Sequence, residues 1–327
     1  MAQPFIYRFT RDLRTQDHAG LAYAAAHGDV LPVLIVDRAL QTRLARSPRR
    51  AAFFCRAVGS LDASLRAYGA RLIVRRGAPG AVLKHLARAC NAAGAAWSAS
   101  YDGIGINNDA GLQSELEEAG LRASAVHDAP AVTPEETAAA RPSGGDGYRA
   151  FAPYFEVWRT LRPASYDVPL LVRFAPTELQ SEPLPALAEF GATSLDDPPA
   201  GAASARATLD RFLSSAALQY AVAMNVPSCE STSHLSPHLS FGTISARDVV
   251  RATQERLDDP FVLAEERASL RLFLRSIAMR DFLLQLGSFY ATTSDDALQE
   301  KMRAFAFART HPALDAWRAG KTGFALV

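Results

Sequence analysis

The sequence predicts a doubly wound parallel α/β domain followed by an all-helical domain, and three observations carry that expectation. Over the first 130 residues, short apolar runs alternate with Ala-rich stretches of helical spacing, joined by short links. Between 131 and 204, Pro, Ala, Ser and Gly become frequent, and DDPPAGAAS at 196–204 is the clearest linker. From 205 to 327 the apolar spacing is helical only. The expected boundaries are therefore an α/β domain at 1–130, a loop and linker at 131–204 and a helical domain at 205–327.

Each element follows from its residues. FIYRF (5–9) is a strand, and DHAGLAYAAAHG (17–28) is a helix with Asp17 as its cap and Gly28 as its stop. VLPVLIV (30–36) is a buried strand whose proline is awkward in a central position. RRAAFFCRAVGSLDASLRAYG (49–69) is a helix ending at Gly69, RLIVR (71–75) a strand and PGAVLKHLARACNAAG (79–94) a helix. AAWSAS (95–100) is a short strand, DAGLQSELEEAG (109–120) a helix and LRASAV (121–126) the last strand. Residues 128–147 read as a long surface loop. Beyond 205, ATLDRFLSSAALQYAV, ISARDVVRATQERL, the long FVLAEERASLRLFLRSIAMRDFLLQLGSFY and DALQEKMRAFAFAR all carry helical spacing. Ligands of such parallel sheets sit beyond the carboxyl ends of the strands.

The bulk numbers narrow the classes. Lys+Arg 35 against Asp+Glu 34 leaves a net charge of +1, so a basic footprint over the whole chain is absent. Cys55, Cys90 and Cys229 are too scattered for a disulfide framework or a metal knuckle and fit a reducing cytoplasm. No basic leader precedes the first strand, and no run of about 18 apolar residues occurs, so neither a signal peptide nor a membrane span is expected. GIG at 103–105 lacks the third glycine of a dinucleotide fingerprint. A P-loop, G-x-S-x-G and H-E-x-x-H are all missing, so nothing proposes hydrolysis or phosphoryl transfer.

The chemistry-bearing stretch is STSHLSPHLSFGTIS (231–245). Ser236-Pro237 reads as a helix start, Ser at the cap and Pro at the first helical position. Thr232 and Ser233 add hydroxyls to the same turn. Hydroxyls and free backbone N–H groups at a helix start form an anion site, with phosphate the usual guest, although an ordinary capped turn needs the same residues. His234 and His238 are four apart, but Pro237 lies between them and no third ligand converges, so they are not read as a metal pair.

Taken with TRDLRTQD (10–17), GYRAFAPYFEVW (147–158), Tyr220, MRDF (279–282) and AWRAGKTGFALV (316–327), this stretch resembles the DNA photolyase/cryptochrome family, in order over the whole chain. The resemblance implies a Rossmann-like antenna domain followed by an all-α domain holding FAD. It implies FAD contacts at Tyr220, Thr232, Ser233, Leu235 and Ser236, with Phe273 beside the flavin and Arg280 on the flavin-pocket helix. Repairing members use a reduced flavin excited by blue light to pass an electron to a pyrimidine dimer flipped out of DNA. Arg11 and Asp12 are expected to form a structural salt bridge above the sheet.

Several positions depart from the family pattern. The lesion-binding helix, usually close to N-E-L-x-W-R-E-F, aligns with residues 275–282, so the lesion-contacting glutamate falls at Ser276 and the stacking tryptophan at Met279. A DNA-contacting arginine falls at Met224, and the outermost tryptophan of the electron-transfer chain at Phe307, where the bland alternative is a core ring. A folate-antenna motif near N-x-E-Y-E aligns with Ser98-Ala99-Ser100-Tyr101-Asp102, without the amide and first carboxylate. A folate antenna is therefore disfavoured, and a deazaflavin, another flavin or an empty site stay open. Family members continue past TGFALV into helices with further flavin contacts, so the helical domain is expected to be incomplete, as a fragment, a diverged small relative or one part of a pair with a second chain. The functions in play are a light-driven DNA-repair lyase acting on damaged DNA, a cryptochrome-like photoreceptor without repair, and a remnant without flavin.

Overall fold

The structure is a computed structural model describing residues 3–142, 144–166, 172–176, 178–192, 199–290, 296–305 and 310–324. Its sheet has strands β1 (Pro4–Phe9), β2 (Asp29–Val36), β3 (Ile73–Arg76), β4 (Gly94–Ser98) and β5 (Arg122–Val126). All neighbours are parallel, in the order β3-β2-β1-β4-β5. Helices α1 (Ala19–Ala25), α2 (Arg38–Ala45), α3 (Pro48–Ala67), α4 (Pro79–Cys90) and α5 (Gly103–Glu118) supply the crossovers and cover both faces. Burial on both faces explains why β1 and β2 read as continuous apolar runs. The chain reverses direction across the sheet between β1 and β4, so a crevice is expected at that switch point.

Pro32 is tolerated in the inner strand β2 for a local reason. The Val30 N–H points away from β1 and donates to the Arg173 carbonyl at 2.7 Å, so Pro32, two residues on, turns its missing donor to the same side. There β3 begins to pair only at Val33, and no ladder bond is lost.

Helix α6 (Pro134–Ala139) and helix α7 (Phe151–Trp158) follow the sheet. The expected surface loop at 128–147 is thus partly helix and partly core. Thr133 and Glu136 form a capping box, and Asp128, Ala131 and Val132 are buried. Then come α8 (Ala202–Ser214), a 3₁₀ turn (Ala216–Gln219), α9 (Tyr220–Ala223), α10 (Ser236–Phe241), α11 (Ala246–Asp258) and the 26-residue α12 (Ala264–Phe289). They enclose a second apolar core around Trp158, Phe212, Leu235 and Phe273. No helix among the described residues is long and apolar enough to cross a membrane.

Met1–Ala291 forms one compact unit and Thr292–Val327 another. In the second unit, Glu300–Met302 is a 3₁₀ turn and α13 (Pro312–Arg318) is capped by His311. The α-helix expected over DALQEKMRAFAFAR therefore does not form among the described residues, and Phe307 lies outside them.

Four further expectations are corrected. His18, not Asp17, caps α1, accepting from the Leu21 N–H at 3.2 Å. Asp17 sits at φ 45 and serves a charge network instead. Helix α2 carries no apolar periodicity in the sequence, because RALQTRLA is polar and buries only Leu44; its start is fixed by Asp37 accepting from Leu40 N–H at 2.7 Å. Helix α5 begins at Gly103 with Asp102 as its cap, so GIG is a first helical turn. Arg11 does not pair with Asp12. It faces Asp102 at 3.7 Å, while Asp12 turns inward to Tyr7 and the Thr10 N–H.

That inward turn belongs to a buried charge hub. Asp128 accepts from Arg14 Nη2 on both of its oxygens, at 2.7 and 2.8 Å, from Arg247 at 2.8 Å and from the Ala19 N–H at 2.9 Å. Arg247 also holds Asp17 at 3.0 Å. Arg247 is on α11, so the hub pins the helical part to the loops after β1 and β5. Burial pushes the Asp128 carboxyl up, but Arg14, His18 and Arg247 prevail and hold it far below the usual carboxylate range. Asp12, His18 and Asp128 come close enough to share a cation. Their lone pairs are already committed to guanidinium and N–H donors, so the cluster reads as architecture.

Candidate functional site

A cavity of about 1460 Å³ opens at the switch point, beyond the carboxyl ends of β1 and β4. Small-molecule sites span roughly 300–1,000 Å³, so this one can hold a dinucleotide-sized ligand with room beside it. Its sheet-side wall comes from the residues that follow the strands: Thr10 and Arg11 after β1, Asp37 and Arg38 after β2, Gly77 to Gly80 after β3, and Ser98 to Asp102 after β4. Its helical wall comes from α9, α10 and α12.

The helical wall collects five of the seven flavin positions expected from sequence: Tyr220, Ser233, Ser236, Phe273 and Arg280. Ser236 is the first residue of α10 rather than its cap; Leu235 is the cap residue, and the helix start has no side-chain cap bond. The Ser236 hydroxyl is thereby left to the cavity. Helix α10 is only six residues long, so the hydroxyls rather than a helix dipole supply the donors here. Ser233 Oγ meets the Leu235 N–H at 3.4 Å. Thr232 is exposed and off the wall, and the Leu235 side chain is buried in the helical core.

Phe273 is held edge-on between Phe212 and Tyr220, with ring centroids at 4.7 and 5.6 Å. Arg280 donates to the carbonyls of Ala129 at 2.8 Å and Leu239 at 3.3 Å. Beside it, Asp281 accepts from the N–H groups of Ala131 at 2.9 Å, Val132 at 3.3 Å and Trp158 Nε1 at 3.0 Å. Burial pushes the Asp281 carboxyl up to about 6, against the opposing pull of Arg280.

The diverged positions separate. Ser276 lines the cavity and meets the Tyr220 hydroxyl at 3.4 Å. Met279, 38% exposed, points off the wall, and Met224 packs partly buried against the helical core. His234 and His238 do not converge, since His234 is exposed beside Glu230 whereas His238 is buried on Thr243 Oγ1.

Sequence reasoning missed the charge of the sheet-side half. Arg8, Arg11, Arg38, Arg43 and Arg76 all line it, together with the acids Asp37, Asp102, Asp109 and Glu115; Arg8 is paired with Asp37, and Arg76 with Glu182 and Glu189. Burial, and next the neighbouring Arg11, push the Arg43 guanidinium down from its usual value. The buried Arg8 Nε has no hydrogen-bond partner among the described residues, while Nη2 of the same side chain bonds Asp37 at 3.1 Å. Only Arg11 and Arg38 stand just after a strand; Arg8 and Arg76 lie within β1 and β3 and Arg43 within α2, so spacing alone did not show which arginines would face inward.

Residues 5–172 match the family model for DNA photolyase, and the deoxyribodipyrimidine photo-lyase of Halobacterium salinarum is 33% identical over 97% of this chain and 68% of its own length. The chain belongs to the DNA photolyase family. Two solved structures share its fold: a cryptochrome from Synechocystis sp. PCC6803 (TM-score 0.83, 19% identity, 99% of this chain and 69% of that one) and an archaeal photolyase from Sulfolobus tokodaii, solved with two FAD molecules (TM-score 0.78, 21% identity, 98% of this chain and 68% of that one). The chain spans about two thirds of the length of these relatives.

Proposed function

We propose that this chain is a photolyase-like flavoprotein that seats FAD in the switch-point cavity and, under blue light, delivers an electron to a pyrimidine dimer in DNA. The observation that carries this reading is the convergence of Tyr220, Ser233, Ser236, Phe273 and Arg280 on one wall. The donor set fits the cofactor: the Ser236 hydroxyl, which has no capping duty, and the Ser233 hydroxyl, whose oxygen accepts from the Leu235 N–H and whose proton stays available, suit a diphosphate, an aromatic shelf suits a ring system, and a fixed guanidinium suits an electron-rich edge. Ser233 and Ser236 bind the diphosphate, Phe273 and Tyr220 exclude water from the ring, and Arg280 is oriented by the Ala129 and Leu239 carbonyls. FAD supplies the light absorption and the one-electron chemistry, while the protein supplies orientation and a dry site.

Arg11, Arg38 and Arg43 of the sheet-side half support a second, anionic chromophore there, a flavin or a deazaflavin. The neighbour that holds two FAD molecules supports the same arrangement. The folate reading finds no support, because Ser98 and Ser100 stand where its amide and carboxylate are needed. The domain limits 1–130, 131–204 and 205–327 remain our proposal for the division into an antenna part, a connection and a flavin part.

A specific observation favours a second reading, a cryptochrome-like photoreceptor without repair. Ser276 and Met279 replace a carboxylate and an aromatic platform, and base stacking on an aromatic contributes about 1–3 kcal/mol. Leu283, 59% exposed one turn beyond Met279, extends an apolar stripe on α12 where helices of a second chain would dock. Two assays separate the readings. Flavin retained on gel filtration with dimer splitting under blue light supports the lyase; retained flavin without splitting supports the photoreceptor; no retained flavin overturns both.

A further inference from the structure

Tyr101 lines the cavity between the sheet-side arginines and Arg280, and the role read for it in the sequence was only that of a residue in a diverged antenna motif. Its hydroxyl lies 2.7 Å from His127 Nδ1. On the other side of that imidazole, Nε2 lies 3.1 Å from Glu135 Oε1. A carboxylate only accepts, so in neutral His127 the Nε2 carries the proton and donates to Glu135. Nδ1 is then an acceptor, and the Tyr101 O–H donates to it. The three groups run from the cavity wall outward: Tyr101 and His127 are half-buried, while Glu135, in the first turn of α6, is exposed.

We propose that Tyr101, His127 and Glu135 form a proton-coupled redox relay that lets the cavity draw one electron from the protein. The Tyr101 phenol gives one electron to a photo-oxidant, which is reduced by that electron. In the same step the phenolic proton passes to His127 Nδ1, and the imidazolium so formed keeps its Nε2–H donated to the Glu135 carboxylate. The products are a neutral phenoxyl radical and an imidazolium–carboxylate pair, so the three groups together carry no net charge.

The surroundings explain why the coupling matters. Burial and the nearby carboxylates of Asp128, Asp281 and Glu135, against the opposing pull of Arg280, hold the phenol protonated far above the usual tyrosine range. Electron loss without proton loss would leave a phenol cation in a poorly solvated wall. A placed base within hydrogen-bond reach removes that obstacle. A buried phenol needs some partner in any case, and a carbonyl would satisfy it. A carbonyl cannot take the proton, whereas an imidazole backed by a carboxylate can.

The natural oxidant is a photoexcited oxidised flavin, so the physiological role rests on the flavin reading, but the relay itself can be tested without flavin. The full chain is flashed with a ruthenium polypyridyl photo-oxidant and an external electron acceptor, and transient phenoxyl absorption is followed in H₂O and D₂O. The chain has nine tyrosines, so Tyr101→Phe identifies the share of the signal due to Tyr101. We expect that share to vanish in Tyr101→Phe and to form at least tenfold more slowly in His127→Phe, with loss of the deuterium effect. Glu135→Gln, a surface change that leaves the fold intact, should slow it a few-fold. An unchanged transient in Tyr101→Phe, or wild-type rates in both His127→Phe and Glu135→Gln, would overturn the relay. A working relay in a chain that retains no FAD would leave the relay standing and remove only its proposed oxidant.

Discussion

Ser236 shows how far a single residue can be read. Its place in a hydroxyl-rich turn raised the expectation of a phosphate site, and the fold places Ser236 on the cavity wall without a capping duty. Ser236→Ala should weaken FAD binding about tenfold, the share of one hydrogen bond to a charged group, and Ser233→Ala should add to it. Thr232→Ala should leave affinity unchanged, because Thr232 stands off the wall; titration by flavin fluorescence quenching decides all three. Asp128 was invisible in the sequence, since its weight comes from Arg14 and Arg247, the latter 119 residues away. Asp128→Ala strands two buried guanidiniums and should cost about 3–5 kcal/mol in urea unfolding. Because the native Asp128 carboxyl is depressed, its contribution is present above the unfolded carboxyl value of 3.8 and is lost as pH falls below it. Asp128→Asn should therefore flatten the acid limb of the stability profile.

Helix α12 is where spacing alone placed an element correctly over 26 residues, and it carries Phe273, Ser276 and Arg280 into the site. Its length and its unbroken run of helix-forming residues made it legible, whereas α2 and α6 are short and polar and are set by their caps. Close packing fixes the far end of α12. A Cβ on Gly287 would lie 1.8 Å from the Tyr101 carbonyl oxygen, a backbone atom that cannot yield. Gly287→Ala should cost about 3 kcal/mol and also disturb Tyr101, as measured by the unfolding midpoint and the phenoxyl yield. Asp281 on the same helix works in the opposite sense to Asp128. Its carboxyl is raised to about 6, so its contribution is full below 3.8 and is lost as pH rises through about 6. Asp281→Asn should remove that decline from the stability profile between pH 4 and 7.

Across the whole molecule, chain order explains why the site was only half legible. The helical wall draws on residues 220–284 and is marked by local motifs, whereas the sheet-side wall is assembled from the ends of β1 to β4 and exists only once the sheet has formed. The order of the motifs gave the fold; the inward-facing arginines and the Tyr101 relay needed coordinates. A ligand that binds only the folded state stabilises it by about 2.7 kcal/mol at a hundredfold excess over its Kd, so FAD at that excess should raise Tm by roughly 4 °C for a chain of this size. The most direct measurement is the visible absorption spectrum of the purified chain after incubation with FAD and gel filtration. A structured flavin band that travels with the protein and fades in the Ser233→Ala/Ser236→Ala double variant is the predicted result. A folded chain that elutes without flavin, with no change in Tm on adding FAD, would contradict the assignment of the switch-point cavity as a flavin site.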